Sequence, residues 1–273
     1  MTKQTTIIKP PSGRTTYQLA ELWEYRELAW MFLVRDIKVR YKQTVLGFAW
    51  AVIQPLTMMV IFSVIFGRLA KFPSDGIPYP VFVFSGLLAW TFFSSAISAG
   101  GVSMVGASSM ISKVYFPRLV IPLASLGVST VDFLVSFVLL IIIMAFYSIG
   151  VSWQIVFFPF FVLGLFVLAM GMSTLLTAIT VVYRDFRFVI PFMVQIWMYV
   201  TPVIYPLSFI PEEWRWVIYF NPVVGWVNGI RSSILGMPID WFGVMISSLF
   251  ALLILIIGLR YFKKSERRFA DVI

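Results

Sequence analysis

The sequence predicts an all-α, polytopic membrane protein. It has six transmembrane helices, an N-terminal amphipathic interface helix, and two short re-entrant helices on the outer side between spans five and six. Three observations predict this. Apolar residues make up 60% of the 273 and charged residues 12%, with a mean hydropathy of +0.93; soluble domains run nearer about half apolar and a quarter charged. Six apolar runs reach the ~20 residues that a helix needs to cross a bilayer. The cations between those runs are distributed very unevenly.

The runs lie at residues 46–67, 81–104, 119–148, 153–182, 188–206 and 239–260. The third and fourth exceed the length needed, so they tilt, kink or project beyond the bilayer. Pro55, Pro122, Pro159, Pro191 and Pro202 fall in or at the ends of spans. There they bend helices and free backbone carbonyls.

With the N-terminus inside, the inner segments 1–45, 105–118, 183–187 and 260–273 hold eight, two, two and five Lys or Arg. The outer segments hold Arg68, Lys71, Arg215 and Arg231. This follows the positive-inside rule and puts both termini in the cytoplasm. The net charge of +9 is then a topology signal and an attraction to anionic membrane lipid, not the footprint of nucleic acid.

Residues 1–20 read as a flexible cytoplasmic tail: MTKQTTIIKPPSGRTTYQ lacks the apolar stretch of a signal peptide. Residues 21–44 have a helical pattern, with Glu24, Glu27, Arg35, Lys38 and Lys42 on one side and Leu22, Ala29, Leu33 and Ile37 opposite. Trp23 and Trp30 flank them. Such a helix before a span reads as lying in the cytoplasmic interface, anchored to lipid, with a partner on its charged face. Residues 45–273 then form one six-span domain ending in a basic cytoplasmic segment, 261–273.

The stretch VVYRDFRFVIPF, 181–192, puts Arg184, Asp185 and Arg187 in the tight cytoplasmic turn between spans four and five. They either touch headgroups or form part of a docking surface. The loop 108–118 reads as a short coupling helix, capped at Ser108 or Ser109 and ended by Pro117. It presents Ser112, Lys113, Tyr115, Phe116 and Arg118, an aromatic and cationic mix suited to a protein contact or to headgroups.

Residues 206–238 are apolar yet interrupted by Glu212, Glu213, Arg215 and Arg231 and punctuated by Pro211, Pro222 and Pro238. Two short helices, near 212–220 and 223–235, fit better than another span. They would dip into the outer leaflet with their backbone shielded by protein, and Trp214, Trp216, Tyr219 and Trp226 suit that depth. Together they would close an outer gate.

Asp132, about a dozen residues into span three, is the conspicuous intramembrane carboxylate. It must face the bundle or water, either hydrogen-bonded to a neighbouring Ser, Thr or Tyr or serving transport.

The chain has no Cys and no His, which removes thiolate and imidazole chemistry and the usual metal ligands. It carries no GxxxxGK[ST], no G-x-S-x-G and no carboxylate cluster for a metal or acid–base work. If this chain moves something uphill, the energy must come from elsewhere.

A helix running into RDIKVRYKQTVLGFAWAVIQPL, then KVYFPRLVIPLAS, VVYRDFRFVIPF and TPVIYP, resembles the transmembrane subunit of type-2 ABC exporters. More narrowly, it is similar to the permeases for lipid-linked polysaccharides: O-antigen, capsule and teichoic acid. The likeness covers nearly all of the chain after residue 20.

It implies a bacterial inner-membrane homodimer of six-span subunits with two copies of a separate ABC ATPase, which holds the ATP and Mg2+. This chain would bind no cofactor and catalyse nothing itself. The ATPase contacts implied are Glu24, Glu27 and Arg35 of the interface helix, Ser112, Lys113, Tyr115, Phe116 and Arg118 of the knob, and Arg184 and Asp185 nearby. The substrate implied is an undecaprenyl-diphosphate-linked glycan in an aromatic channel. Trp50, Phe188, Phe192, Trp197, Tyr199 and Tyr205 are the channel candidates. Arg35, Arg40 and Lys42 are placed to meet the diphosphate. The alternatives are a type-2 permease for a small lipid or drug, and an integral enzyme or proton-driven carrier using Asp132.

Overall fold

A computed structural model describes residues 23–42, 47–111 and 116–272, and among them every regular element is helical. Five helical segments are long and apolar enough to cross a membrane: Gly47–Leu69, Tyr79–Gly106, Val120–Phe146, Trp153–Val182 and Trp241–Glu266. Their ends fall close to the expected runs, because apolar length is the one span signal that needs no partner.

The first segment is a 3-10 turn, then α2 (Trp50–Phe62), then a π-helical turn Ser63–Leu69. It follows α1 (Arg26–Lys42). Next come α3 (Tyr79–Gly106), the one-turn α4 (Ser108–Ile111) and α5 (Val120–Phe146). After them run α6 (Phe158–Val182), α7 (Phe186–Val200), α8 (Glu212–Tyr219), α9 (Val224–Leu235) and α10 (Trp241–Val272).

The expected span 188–206 is the exception, since its helix α7 stops at Val200 after 15 residues. At ~1.5 Å per residue that is about 22 Å, short of the ~30 Å hydrocarbon core. The cause is local. Thr201 precedes Pro202 and takes an extended conformation, φ −92° and ψ 137°, as steric clash with the proline ring requires. The expected pair of short helices is present as α8 and α9.

α3 is the central post: 78% of its most apolar stretch is buried, against 6% for the α2 segment. Small residues let its neighbours close in, as membrane helices lacking a hydrophobic drive between them require. Thr177 Oγ1 of α6 donates to Gly100 O of α3 at 2.5 Å. Where α10 crosses α6, a Cβ on Gly258 would stand 2.4 Å from Gly171 O.

α1 packs onto α5 and does not stand apart from the bundle. Phe32 is buried edge-on to Phe116, ring centres 5.5 Å apart, and Leu33 sits against Gly127. The charged residues Glu24, Glu27, Arg35, Lys38 and Lys42 are exposed, as expected, but so are Trp23, Trp30, Met31 and Val39. The outer face is therefore mixed, not purely polar.

Candidate functional site

A cavity of about 690 Å³ is a cleft between α2, α3, α5 and α7, with the last turn of α1 at one end. It gathers four residues that the sequence singles out separately: Trp50, Tyr199, Arg40 and Asp132. Arg40 Nη2 lies 2.9 Å from Asp132 Oδ2, and the Tyr41 hydroxyl donates to Asp132 Oδ1. The intramembrane carboxylate is thus ion-paired and hydrogen-bonded, which removes most of the few kcal/mol an unpaired charge would cost there. Burial first, then the hydrogen bond to Asp132 and its negative charge, raise the Tyr41 pKa. The hydroxyl therefore stays a donor.

The rest of the lining mixes hydroxyls and amides with rings. α3 contributes Trp90, Thr91, Ser94, Ser95 and Ser98; α2 and α7 contribute Gln54 and Gln195. Ser95 Oγ and Ser129 Oγ are 3.0 Å apart. Sequence reasoning missed these residues. The signal was there in SSAIS, 94–98, where serines at i and i+4 share a helix face, and in a Gln midway along each of two apolar helices.

The other channel candidates do not line this cleft. Phe188 and Phe192 are exposed on α7, and the Arg187 guanidinium stands 4.7 Å over the Phe188 ring. Trp197 is edge-on to Phe93 at 5.3 Å, and its Nε1 donates to Asn221 Oδ1 at 2.9 Å. Tyr205 lies beyond the helix break and donates to Tyr199 O at 3.2 Å. Their common feature was position on one apolar run; the break at Thr201 sets Tyr205 apart, while Phe188, Phe192 and Trp197 share α7 with Tyr199 without lining the cleft.

The expected docking residues divide similarly. Glu24, Glu27, Arg184 and Asp185 are exposed, as is Lys42 of the expected diphosphate entry. Arg35 pairs with Asp36 at 2.8 Å and stands 4.9 Å over the Phe32 ring. Phe116 is buried within the chain's own core, because Phe32 covers it. Arg118 donates to Glu266 O and stands over Phe269, tying the knob to the end of α10. Ser112, Lys113 and Tyr115 lie outside the described residues, as does the tail 1–20.

On the far side, Trp214 and Trp216 are exposed, whereas Trp226 is buried against Gly164, where a Cβ would sit 2.1 Å from the indole. The Tyr219 pKa is pushed up to about 12 by burial, then by its hydrogen bond to Asp240 and that residue's charge. Arg231, which the sequence places in an outer segment, is fully buried.

Long apolar helices around a polar, ring-edged cleft mark the class as an integral membrane protein. The model of the family described as ABC-2 type transporter matches residues 27–235, and the chain belongs to that family. It is 27% identical over 243 residues to the O-antigen export system permease protein RfbA of Klebsiella pneumoniae, covering 88% of this chain and 92% of that one. A protein of the same name from Myxococcus xanthus is 29% identical over 215 residues, covering 78% and 82%. The polysialic acid transport protein KpsM of Escherichia coli is 24% identical over 241 residues, covering 85% and 91%. Membership makes this chain the membrane component of the transporter, not its ATPase, and implies an ABC ATPase subunit as partner.

Proposed function

We propose that this chain forms the channel of an ABC exporter that moves undecaprenyl-diphosphate-linked polysaccharide, O-antigen above all, across the bacterial inner membrane. ATP hydrolysis in a separate subunit drives it. The observation that carries the reading is the cleft itself: hydroxyls, amides and aromatic edges suit a sugar chain, and a single arginine suits its phosphate. The export permeases named above support it.

In this reading α7 is the fifth of six spans, completed by the broken segment after Val200. Both termini are cytoplasmic, and α8 and α9 re-enter the outer leaflet as a gate bearing Trp214, Trp216, Tyr219 and Trp226. α2 and α7 leave apolar faces exposed beside the cleft, including Ile53, Val60, Ile61, Phe192 and Ile196. Two copies pairing through those faces turn two clefts into one conduit. Phe188, Phe192, Trp197 and Tyr205 join its wall as the glycan passes. α1, the loop 108–118 and the turn at Arg184 and Asp185 meet the two ATPase subunits, which hold ATP and Mg2+. Arg35, Arg40 and Lys42 receive the diphosphate.

Deleting the gene tests this. The expected result is loss of surface polysaccharide with build-up of its lipid-linked precursor inside, restored by the gene in trans. Intact surface polysaccharide with an altered lipid or drug-resistance profile points to a small-lipid or drug permease instead.

A further inference from the structure

The Arg40–Asp132 pair stands between two cavities. Arg40 lines both the 690 Å³ cleft and a second cavity of about 310 Å³ beneath α1, whereas Asp132 lines only the first. The smaller cavity contains a second guanidinium under a carboxylate, Arg35 on Asp36, and the hydroxyl-bearing Ser103 and Ser125. Ser125 is 93% buried, 7% being exposed, and its Oγ finds no hydrogen-bond partner. Within the pair the arginine is the more accessible member: its side chain is 42% exposed, that of Asp132 20%. A carboxylate on an arginine occupies the donor positions that a phosphate would take, and the two compete for the same N–H groups.

We infer that the pair is an exchangeable gate between the two cavities. A diphosphate headgroup arriving through the smaller one takes Arg40 and releases Asp132, which remains on the Tyr41 hydroxyl. This rests on the lipid-linked reading above and adds which side chain receives the charge and which it displaces. It also gives the exchange a readout within the fold. Arg40 and Tyr41 tie the end of α1 to mid-α5, so losing one contact loosens the helix that faces the ATPase in that reading.

A tie with a purely structural role predicts that removing either partner harms the protein in the same direction. An exchange gate predicts opposite signs. The experiment uses the complex of this chain with its ATPase in phosphatidylethanolamine nanodiscs, probed with radiolabelled undecaprenyl diphosphate. Asp132→Asn removes the competitor and is expected to tighten binding about tenfold, whereas Arg40→Gln weakens it by a similar factor, alone or with Asp132→Asn. Tyr41→Phe leaves Asp132 more dependent on Arg40, so it also weakens binding.

Affinity unchanged in Asp132→Asn, or lowered as in Arg40→Gln, overturns the exchange. Should Asp132→Asn not fold, affinity unchanged in Tyr41→Phe does the same. Inorganic pyrophosphate should compete with the lipid in the wild type but not after Arg40→Gln. Competition surviving that substitution, or equal displacement by phosphatidylglycerol, overturns the diphosphate site. A wild-type complex that binds no undecaprenyl diphosphate removes the lipid-linked reading itself, whereas binding indifferent to Asp132 removes only the exchange.

Discussion

Arg231 sits over the ring of Phe82, its guanidinium carbon 4.0 Å from the ring centre, and its two terminal nitrogens donate to Pro202 O at 3.0 Å and Val203 O at 2.6 Å. Tyr79 takes the next carbonyl, Ile204 O, at 2.8 Å. Three consecutive carbonyls freed by the break after α7 are thus each met by a side chain from another helix. A helix break buried within protein needs such donors, because each unpaired backbone carbonyl is costly there.

Replacing Arg231 by Met keeps much of the volume and leaves two of those carbonyls unpaired. The expected loss is about 2–4 kcal/mol of stability, read by unfolding in mixed micelles. Arg231→Lys keeps the charge but not the fork that reaches both oxygens. It should fall between Met and the wild type.

Gly86 on α3 makes room for that guanidinium, since a Cβ there would lie 2.2 Å from Arg231 Nη2 and 2.8 Å from Val203 O. Gly86→Ala should cost about 1–3 kcal/mol through overpacking. In an Arg231→Met background the cost should shrink, because part of the clash is gone. Strictly additive losses in a double-mutant cycle would mean that the two residues act independently.

Asn221 knits the outer segment to the bundle. Its Nδ2 donates to Thr201 Oγ1 at 2.9 Å, and its Oδ1 accepts from Trp197 Nε1 at 2.9 Å and Val223 N at 3.1 Å. Asn221→Leu keeps the bulk and removes all three bonds. Amide exchange should then speed up about tenfold across residues 201–224, with α3 and α6 unchanged. Uniform acceleration along the chain would instead mark a global loss of stability.

The α6–α10 crossing tolerates no side chain at Gly258, because the neighbour is backbone, Gly171 O at 2.4 Å. Gly258→Val should abolish a monodisperse peak in gel filtration. Gly106, where a Cβ meets nothing within 4 Å, provides the control. Gly106→Ala should elute as the wild type does.

The sequence made the long elements legible because each carries its own apolar run, and prolines at 211 and 222 bracketed α8. What it could not carry were pairings between distant residues. Asp132 read as a carboxylate hydrogen-bonded to a nearby hydroxyl or serving transport, and Arg40 as a cation for the diphosphate, yet they are each other's partners. Arg231 read as an outer-loop charge, although the prolines that create its acceptors were visible at 202 and 206. Phe116 read as an exposed knob residue because nothing local marks Phe32 as its cover. The cleft was half legible. Trp50 and Tyr199 stood out as large rings, while the serines of α3 stayed hidden among apolar neighbours until the helix face they share was fixed.

The central claim is that this chain is a conduit driven by a motor on a separate polypeptide. Reconstituting the purified chain in liposomes, with and without its ABC ATPase, and following protection of a labelled lipid-linked polysaccharide tests it most directly. Transfer to the far leaflet should require both the ATPase and ATP. Transfer by this chain alone, or ATP hydrolysis by it alone, would contradict the account.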